Sequence, residues 1–321
     1  MNLSATGQKI AQRDAFGETL VELIDRDERV YALDGDLANS TKADIVSRER
    51  PDRFLMMGIA EQNMMGVAAG MASCGLIPWL SSFACFIVNR DLDQLRIVVA
   101  QPNLPVKLCG AYSGLLTGKT GKTHQEVSDI SVMRAMPNMT VFAPADAVEV
   151  AACMRVANDL PGPVYVRMTR DPEPVIFPAD YQFQLGKALV VREGTDITLI
   201  STGAQTPRCL DAADELATEG IHAHVLHVPS IKPLDEAAIV EAADKTGRVV
   251  TAEDHTIIGG LGGAVAEVLG EQRPTPMKRV GIRDTFGESA ANDDLLTKYG
   301  LTSGHVAQAS REILAQGPCL D

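Results

Sequence analysis

The feature that most constrains the fold is a regular alternation of short apolar strands with helical segments. Strand-like runs occur at residues 29–34, 54–58, 75–81, 105–112, 139–145 and 163–168, and helical periodicity at about 7–26, 90–100, 126–135 and 146–158. The run at 54–58, FLMMG, is interpreted as a buried strand that enters a helix rich in Gly and Ala. Such alternation is typical of a parallel sheet covered by helices on both faces, so we expect an α/β fold.

A second alternation begins after a proline-rich segment. Three prolines fall close together in RDPEPVIFPAD, and regular structure tolerates proline poorly. Strand-like runs then resume with ITLIST, IHAHVLHV, RVVTAED and MKRVGI, separated by helical stretches. The sequence therefore predicts a first domain at 1–170, a linker at 171–186 and a smaller α/β domain at 187–321. The total of 321 residues suits two domains of ordinary size.

The composition excludes several classes of protein. A formal net charge of −13 argues against a nucleic acid or an anionic membrane as the main partner, because phosphate backbones are bound by Lys and Arg. The six cysteines are scattered without the spacing of a zinc or redox motif, which favours the reducing cytoplasm. The long uncharged stretch from Gln62 to Asn89 is interrupted by Gly, Pro and Ser. We therefore expect buried helix and strand there, not a membrane span.

Chemistry-bearing residues follow the predicted strands of the first domain. Glu61 in GIAEQNMMGVAAG is a carboxylate at the head of an otherwise uncharged stretch, and polar and aromatic residues follow the neighbouring strands. In open parallel sheets ligands bind at the carboxyl ends of the strands, so these side chains are expected to meet at one edge.

At this point the sequence resembles the transketolase family, thiamine diphosphate enzymes that move two-carbon ketol units. The matching motifs are GIAEQN, SSFACFIVNRDLDQLR, GKTGKTHQ, MPNMTVFAPAD and VTAEDHTIIGGLGG, which occur in the family's order over nearly the whole chain. The resemblance implies a parallel-sheet pyrimidine-binding domain of the thiamine diphosphate fold, followed by a smaller α/β transketolase C-terminal domain.

The resemblance also implies a cofactor site. Glu61 takes the position of the glutamate that hydrogen-bonds the ring nitrogen of the aminopyrimidine, and Phe83 and Phe86 take those of aromatics that pack the same ring. Asn89 stands where single-chain members carry a third aromatic residue. The implied cofactor-binding residues are Asp36, Glu61, Phe83, Phe86, Asn89 and Arg90.

Substrate residues are implied in the same way. Arg13, Ser40 and Arg170 resemble the clamp for a sugar phosphate, and a guanidinium group suits a tetrahedral anion because it presents a planar fork of donors. His124 matches the family histidine that contacts the reacting carbonyl and hydroxyl oxygens. Glu61 and His124 are thus the expected catalytic residues.

The chain departs from the family pattern at the sugar-binding positions. Tyr112 stands where many transketolases have a donor-binding histidine, and Lys119 and Thr120 stand where they have an acidic pair. Loss of an acceptor carboxylate penalises a substrate whose hydroxyl it held. With Tyr112 and Thr120 counted as substrate-binding residues, we expect an unusual anionic ketose, such as apulose 4-phosphate or a sulfonated sugar.

One motif of the family, the Gly-Asp-Gly motif that binds the diphosphate, has no match in this sequence. Full-length transketolases bind the diphosphate and its Mg²⁺ in an N-terminal domain with a Gly-Asp-Gly motif, and LDGDLANS does not match that motif. The implied protein is the C-terminal subunit of a split transketolase, with an N-terminal diphosphate-binding partner subunit in an α2β2 heterotetramer. The Mg²⁺ ion would be held mainly by the partner subunit, and we expect no metal site in this chain. The open alternatives are the E1 β subunit of a 2-oxo acid dehydrogenase and a noncatalytic scaffold subunit.

Overall fold

The alternating strands and helices form two largely parallel sheets in the computed structural model, which describes residues 7–316. The outer limits predicted for the two domains, residues 1 and 321, lie outside the described residues, as does Cys319. The strands are β1 Lys9–Ala11, β2 Val30–Asp34, β3 Phe54–Met56, β4 Ile77–Phe83, β5 Lys107–Ala111, β6 Thr140–Phe142, β7 Val164–Arg167, β8 Pro172–Pro174, β9 Leu189–Arg192, β10 Ile197–Ser201, β11 Ala223–His227, β12 Ser230–Lys232, β13 Val249–Thr256 and β14 Met277–Ile282.

The helices lie between these strands and at the end of the described chain. They are α1 Gln12–Arg26, α2 Ala38–Thr41, α3 Asp44–Glu49, α4 Glu61–Ser73, α5 Ala84–Ile87, α6 Leu92–Gln94, α7 Asp129–Ala135, α8 Ala147–Asp159, α9 Gln205–Ala217, α10 Glu236–Thr246, α11 Leu261–Gln272, α12 Asn292–Lys298 and α13 Ser303–Leu314. Helix α6 continues as a π-helical segment, Leu95–Ala100, and single 3₁₀ turns occur at Pro51–Arg53 and Gly118–Thr120. Within the described residues, every helix is too short or too polar to span a lipid bilayer.

The two sheets confirm the predicted α/β class. The first has the order β12-β6-β7-β5-β4-β2-β3 and is parallel except for β12, which runs antiparallel to β6. The second has the order β14-β13-β10-β11-β9 and is parallel except for β9. A small antiparallel pair joins β1 to β8.

Strand register aligns the residues that form the site. Phe83, at the end of β4, lies opposite Ala111 at the end of β5, so Tyr112 follows directly beside Phe83. Gly110 lies opposite Arg167 in β7, which brings the segment that contains Arg170 to the same edge. Because parallel strands present their carboxyl ends together, three distant parts of the sequence meet there.

The sheets share an apolar core. One buried cluster joins Leu80 and Val141 of the first sheet to Ile200 of the second and to Ile239 and Val265 of helices α10 and α11. The two halves of the chain are therefore packed on one another, and β12 extends the first sheet from a position beyond residue 187.

The structure corrects several sequence predictions. The helix expected from residue 7 begins at Gln12, because Lys9–Ala11 pairs with a strand instead. The linker predicted at 171–186 contains that partner strand, Pro172–Pro174; prolines fit there because a two-stranded ribbon needs few backbone donors.

The run FLMMG is not a buried strand. Strand β3 lies at the edge of the first sheet, and the side chains of Leu55 and Met56 are exposed. An apolar run indicates that a segment is covered, but it does not say whether the chain's own core or another molecule covers it.

Candidate active site

Glu61 lies at the start of α4 and is only 3% exposed. Its Oε1 atom accepts a hydrogen bond from Arg90 Nη1 at 2.8 Å, and the Arg90 guanidinium lies 3.9 Å from the ring centroid of Phe86. The positive end of the helix dipole also favours a carboxylate at this position. The carboxylate that the sequence places beside an apolar stretch is therefore held in the folded protein by a helix start and one arginine.

Aromatic rings form a wall next to this carboxylate. Phe83 stacks on Phe86 with ring centroids 5.8 Å apart, and on Tyr112 with centroids 3.9 Å apart and planes 20° apart. His124 meets Phe83 and Phe86 edge-on at 5.8 and 5.5 Å. A buried carboxylate beside flat rings has the chemistry needed to hold a heteroaromatic ring that carries a hydrogen-bonding nitrogen.

The loop that carries His124 is held by the second domain. The Gln125 side-chain amide donates to the Glu288 carbonyl at 2.9 Å, and the Ser289 hydroxyl donates to the Lys119 carbonyl at 2.7 Å. His124 itself contacts the Thr123 hydroxyl through Nδ1 at 2.9 Å. The imidazole therefore lies on a loop that is supported from both domains.

The arginines of the predicted clamp meet at Tyr112. Arg13 Nη1 donates to the Tyr112 hydroxyl at 2.9 Å and to the Ser40 carbonyl at 3.1 Å. The Arg170 guanidinium lies 5.5 Å from the Tyr112 ring centroid, and a hydrogen bond to this phenol raises the pKa of Arg170. The Ser40 hydroxyl turns instead to Asn39 Oδ1, at 3.4 Å.

A cavity of about 700 Å³ opens beside the clamp, between the two domains. Thr120 and Arg170 line it from the first domain, and Arg208 and Asn292 line it from the second. Most of the predicted substrate residues therefore border either this cavity or the aromatic wall.

Two predicted cofactor residues have other settings: Asp36 lies on an exposed loop, and Asn89 is hydrogen-bonded within the chain. Asp36 is exposed in the loop after β2, where its φ of 70° is in the left-handed region. Asn89 donates its amide to the Cys85 carbonyl at 2.9 Å and to Glu126 Oε2 at 2.7 Å. The structure therefore uses Asn89 to hold a loop carboxylate, and its cofactor role stays a prediction, as does that of Asp36.

Sequence reasoning missed two buried carboxyl groups near Glu61. Glu126 accepts from Asn89 and, through Oε1, from the Ser128 backbone at 2.7 Å. Asp91 follows Arg90 directly, and among residues 7–316 neither of its two buried carboxyl oxygens has a hydrogen-bond partner. Burial raises the pKa of Asp91 to about 8, with a smaller contribution from the charge of Glu61. The sequence signal that could have identified Asp91 is an acidic residue directly after Arg90, where the uncharged stretch from Gln62 to Asn89 ends.

Asp91 makes the stability of this region depend on pH. Its carboxyl group stays protonated in the folded protein up to a pKa of about 8, whereas in the unfolded chain it ionises near a pKa of about 4. Stability is therefore lost as the pH rises between these values. We expect Asp91→Asn to raise the urea midpoint more at about pH 8.5 than at about pH 5. An equal shift at both pH values would contradict this account of Asp91.

Comparisons with known proteins identify the family. The sequence model for "Transketolase, pyrimidine binding domain" matches residues 8–173, and the model for "Transketolase, C-terminal domain" matches residues 186–306. A 6-deoxy-6-sulfo-D-fructose transketolase subunit from Clostridium sp. (strain MSTE9) is 43% identical over 301 residues, which are 94% of this chain and 94% of that protein. An apulose-4-phosphate transketolase subunit from Phocaeicola vulgatus is 36% identical over 95% of this chain and 98% of its own length.

A solved structure agrees with these relatives. A split-gene transketolase, solved as an inactive β4 tetramer, is 44% identical and covers 96% of this chain and 99% of its own, with a TM-score of 0.88. The chain therefore belongs to the transketolase family, the thiamine diphosphate-dependent transferases that move two-carbon ketol units, and it matches subunits of split transketolases over nearly their whole length.

Proposed function

We propose that this chain forms the pyrimidine-binding side of the active site of a split transketolase. The enzyme would transfer a two-carbon ketol unit from an anionic ketose to an aldose acceptor. The observation that carries the proposal is a continuous set of contacts from the buried Glu61, through Arg90 and the stacked rings of Phe86 and Phe83, to Tyr112. The Glu61 end of this set suits a cofactor ring, and the Tyr112 end lies against Arg13 and Arg170.

The residues present fit thiamine diphosphate. Glu61 would accept a hydrogen bond from the aminopyrimidine and exchange a proton with its ring nitrogen, while Phe83 and Phe86 would pack its faces. Asp36, Asn89 and Arg90 complete the proposed set. Thiamine diphosphate, when bound, supplies carbanion stabilisation that no protein side chain offers.

We assign the diphosphate and its Mg²⁺ mainly to a partner subunit. In the family these groups are bound through a Gly-Asp-Gly motif. LDGDLANS, which looks a little like that motif but lacks Gly-Asp-Gly, forms the end of β2 and the start of α2 in the pyrimidine-binding domain.

His124 is the proposed second catalytic residue. Its edge-on position against Phe83 and Phe86 keeps the imidazole beside the space where a cofactor ring would lie. From there it would donate a hydrogen bond to the developing alkoxide of the substrate.

The donor would be a phosphorylated or sulfonated ketose. Arg13, Ser40 and Arg170 would bind its anionic end, and Tyr112 and Thr120 would border its carbon chain. Relatives that act on 6-deoxy-6-sulfofructose and apulose 4-phosphate support a donor outside the usual pentose and hexose phosphates.

An exposed apolar surface beside Glu61 supports a partner subunit. Met56 is 49% exposed and Ile59 is 74% exposed, only two residues before the buried glutamate. An apolar patch next to an active site is typical of a surface that another chain covers. We propose that the diphosphate-binding subunit covers it in an α2β2 assembly, and that the assembly is cytoplasmic, as the scattered cysteines suggest.

Co-assembly with a diphosphate-binding subunit tests this function. The chain is expected to form a complex of defined mass with that subunit and to transfer a ketol unit from a phosphorylated or sulfonated ketose when thiamine diphosphate and Mg²⁺ are added. Initial rates with xylulose 5-phosphate, fructose 6-phosphate, apulose 4-phosphate, 6-deoxy-6-sulfofructose and pyruvate would identify the donor. The double change Lys119→Glu with Thr120→Asp should lower the rate with the preferred donor, because it places negative charge beside the anion site.

Two outcomes would contradict the proposal. Activity with pyruvate alone would move the chain to the E1 β subunits of 2-oxo acid dehydrogenases. Full activity with the ordinary donors, undiminished by the double change, would show that Lys119 and Thr120 do not select an unusual ketose.

A further inference from the structure

Tyr112 brings together two arginines that are far apart in the sequence. Arg13 comes from the first turn of α1 and donates to the phenolic oxygen at 2.9 Å. Arg170 comes from the segment between β7 and β8 and lies 5.5 Å from the centre of the same ring. Two positive charges at one phenol repel each other, so this arrangement requires groups that hold each side chain in place.

The phenol ring itself is held rigidly. Tyr112 is 3% exposed and stacks on Phe83 at 3.9 Å. Its backbone adopts φ of 61°, a left-handed conformation that is costly for an aromatic residue and persists where the surroundings fix it. The next residue, Ser113, ties this segment to the one that carries Arg170. Its backbone N–H donates to the Met168 carbonyl at 3.0 Å, two residues before Arg170. The phenolic oxygen therefore has a defined position relative to both arginines.

Both guanidinium groups keep donors for another ligand. Arg13 uses Nη1 on Tyr112 and on the Ser40 carbonyl, and Arg170 uses Nη1 on Asp171 at 3.0 Å. The Nε atoms of both arginines are buried and have no hydrogen-bond partner in the part of the chain that the structure describes. Those two N–H groups are closed off from solvent, but both side chains are partly exposed and Arg170 lines the cavity, so the open parts of the guanidinium groups can donate to an acceptor that is not part of the chain.

Tyr112 is also larger than the histidine found here in many transketolases, and it carries its hydroxyl at the far end of the ring. That hydroxyl reaches the arginines while the ring remains part of the aromatic wall with Phe83. One residue thus links the proposed cofactor surface to the proposed anion site.

We propose that Tyr112 is the positioning residue that sets the donor specificity of this enzyme, by holding Arg13 and Arg170 around one tetrahedral oxyanion, a phosphate or a sulfonate, at the far end of the ketose. The inference rests on the proposed function and names how that site selects its substrate. Tyr112 acts through the arginines and need not contact the reacting carbons.

The test compares anionic and uncharged donors in the assembled enzyme. Tyr112→Phe keeps the ring and its stacking but removes the oxygen that accepts from Arg13. We expect KM for fructose 6-phosphate or 6-deoxy-6-sulfofructose to rise about tenfold or more, with kcat changed less than about twofold, because a hydrogen bond to a charged group is lost. KM for erythrulose, a ketose without an oxyanion, should rise much less, because it offers no group to the two arginines. The donor whose KM rises more identifies the oxyanion as phosphate or sulfonate.

Tyr112→His provides a second variant with a polar aromatic ring. Because the histidine ring is shorter than the phenol, it should not restore the contact with Arg13, and KM for the anionic donors should stay raised. Equal losses with erythrulose and with the anionic donors would overturn the inference, as would an unchanged KM for both anionic donors in Tyr112→Phe. Thermal melting of each assembly identifies a variant that has lost its fold.

Calorimetric titration with inorganic phosphate and sulfate separates this inference from the proposed function. If the unaltered assembly binds either anion and Tyr112→Phe binds it about tenfold more weakly, the role of Tyr112 is supported even if no ketose is a substrate. If binding is equal in both proteins, the inference fails even if ketol transfer is observed.

Discussion

Replacing Glu61 by glutamine is expected to lower the rate of ketol transfer by about 10²- to 10⁴-fold, the usual contribution of a positioned acid or base. Glutamine keeps the shape of the side chain but cannot share a proton with the cofactor ring. The side chain of Arg90 is 43% exposed, so loss of its partner leaves a charge that water can solvate, and the fold should persist. Steady-state rates of the assembled enzyme and titration of thiamine diphosphate binding measure the effect.

Asp93→Asn is the matched control for Glu61→Gln. Asp93 lies three residues after Arg90, the partner of Glu61, but it is exposed and pairs with Arg96 at 2.8 Å. It should leave both rate and cofactor affinity unchanged. A rate that does not respond to Glu61→Gln would make this chain a noncatalytic scaffold subunit, one of the alternatives left open by the sequence.

The second large effect concerns stability. Asp129 and Arg167 form an ion pair in the shared core, with 0% and 4% of their side chains exposed, and Arg167 Nε lies 2.8 Å from Asp129 Oδ2. The same oxygen accepts from the Tyr165 hydroxyl at 2.8 Å, and Arg167 also donates to the Asp254 carbonyl at 2.6 Å, across the domain boundary. We expect Asp129→Ala to reduce the free energy of unfolding by about 3–5 kcal/mol, because it leaves the arginine charge buried without its partner.

A double variant distinguishes pairing from packing in this core. Replacing both partners, as Asp129→Leu with Arg167→Met, removes the buried charges together and should recover much of the stability lost in the single variant. Urea titration followed by circular dichroism measures both, with Asp93→Asn as the exposed control. If the double variant is as unstable as the two single changes combined, the loss comes from packing and polar contacts, and the buried-charge explanation is wrong.

The predicted elements and the observed ones agree best where the signal is local. Apolar runs of strand length marked β2, β4, β5 and β7 within a few residues, because a strand buried on both faces needs continuous apolar sequence. The same rule was wrong for β3, whose apolar residues face outwards at the sheet edge. It also missed β12, a short strand that depends on a partner about 90 residues away in the sequence.

The candidate site divides in a similar way. Motif and order predicted Glu61, Phe83, Phe86, Arg90, Tyr112 and His124 as site residues, and in the structure these side chains form one set of contacts. Sequence reasoning paired Arg90 only with the cofactor, whereas the folded chain pairs it with Glu61. It did not identify Asp91, because nothing in a sequence states that an acid next to an arginine will turn away from it and be buried unpaired.

The sequence by itself determined the α/β class, the family and the types of residue available for chemistry, since periodicity and motifs are properties of neighbouring residues. Tertiary structure alone decided that Arg13, Tyr112 and Arg170 meet, that Asp129 and Arg167 are buried as a pair, and that the two sheets share one core. These contacts join residues that are about 40 to 160 positions apart. Their formation depends on strand order and register, which many sequences of the same pattern could satisfy differently.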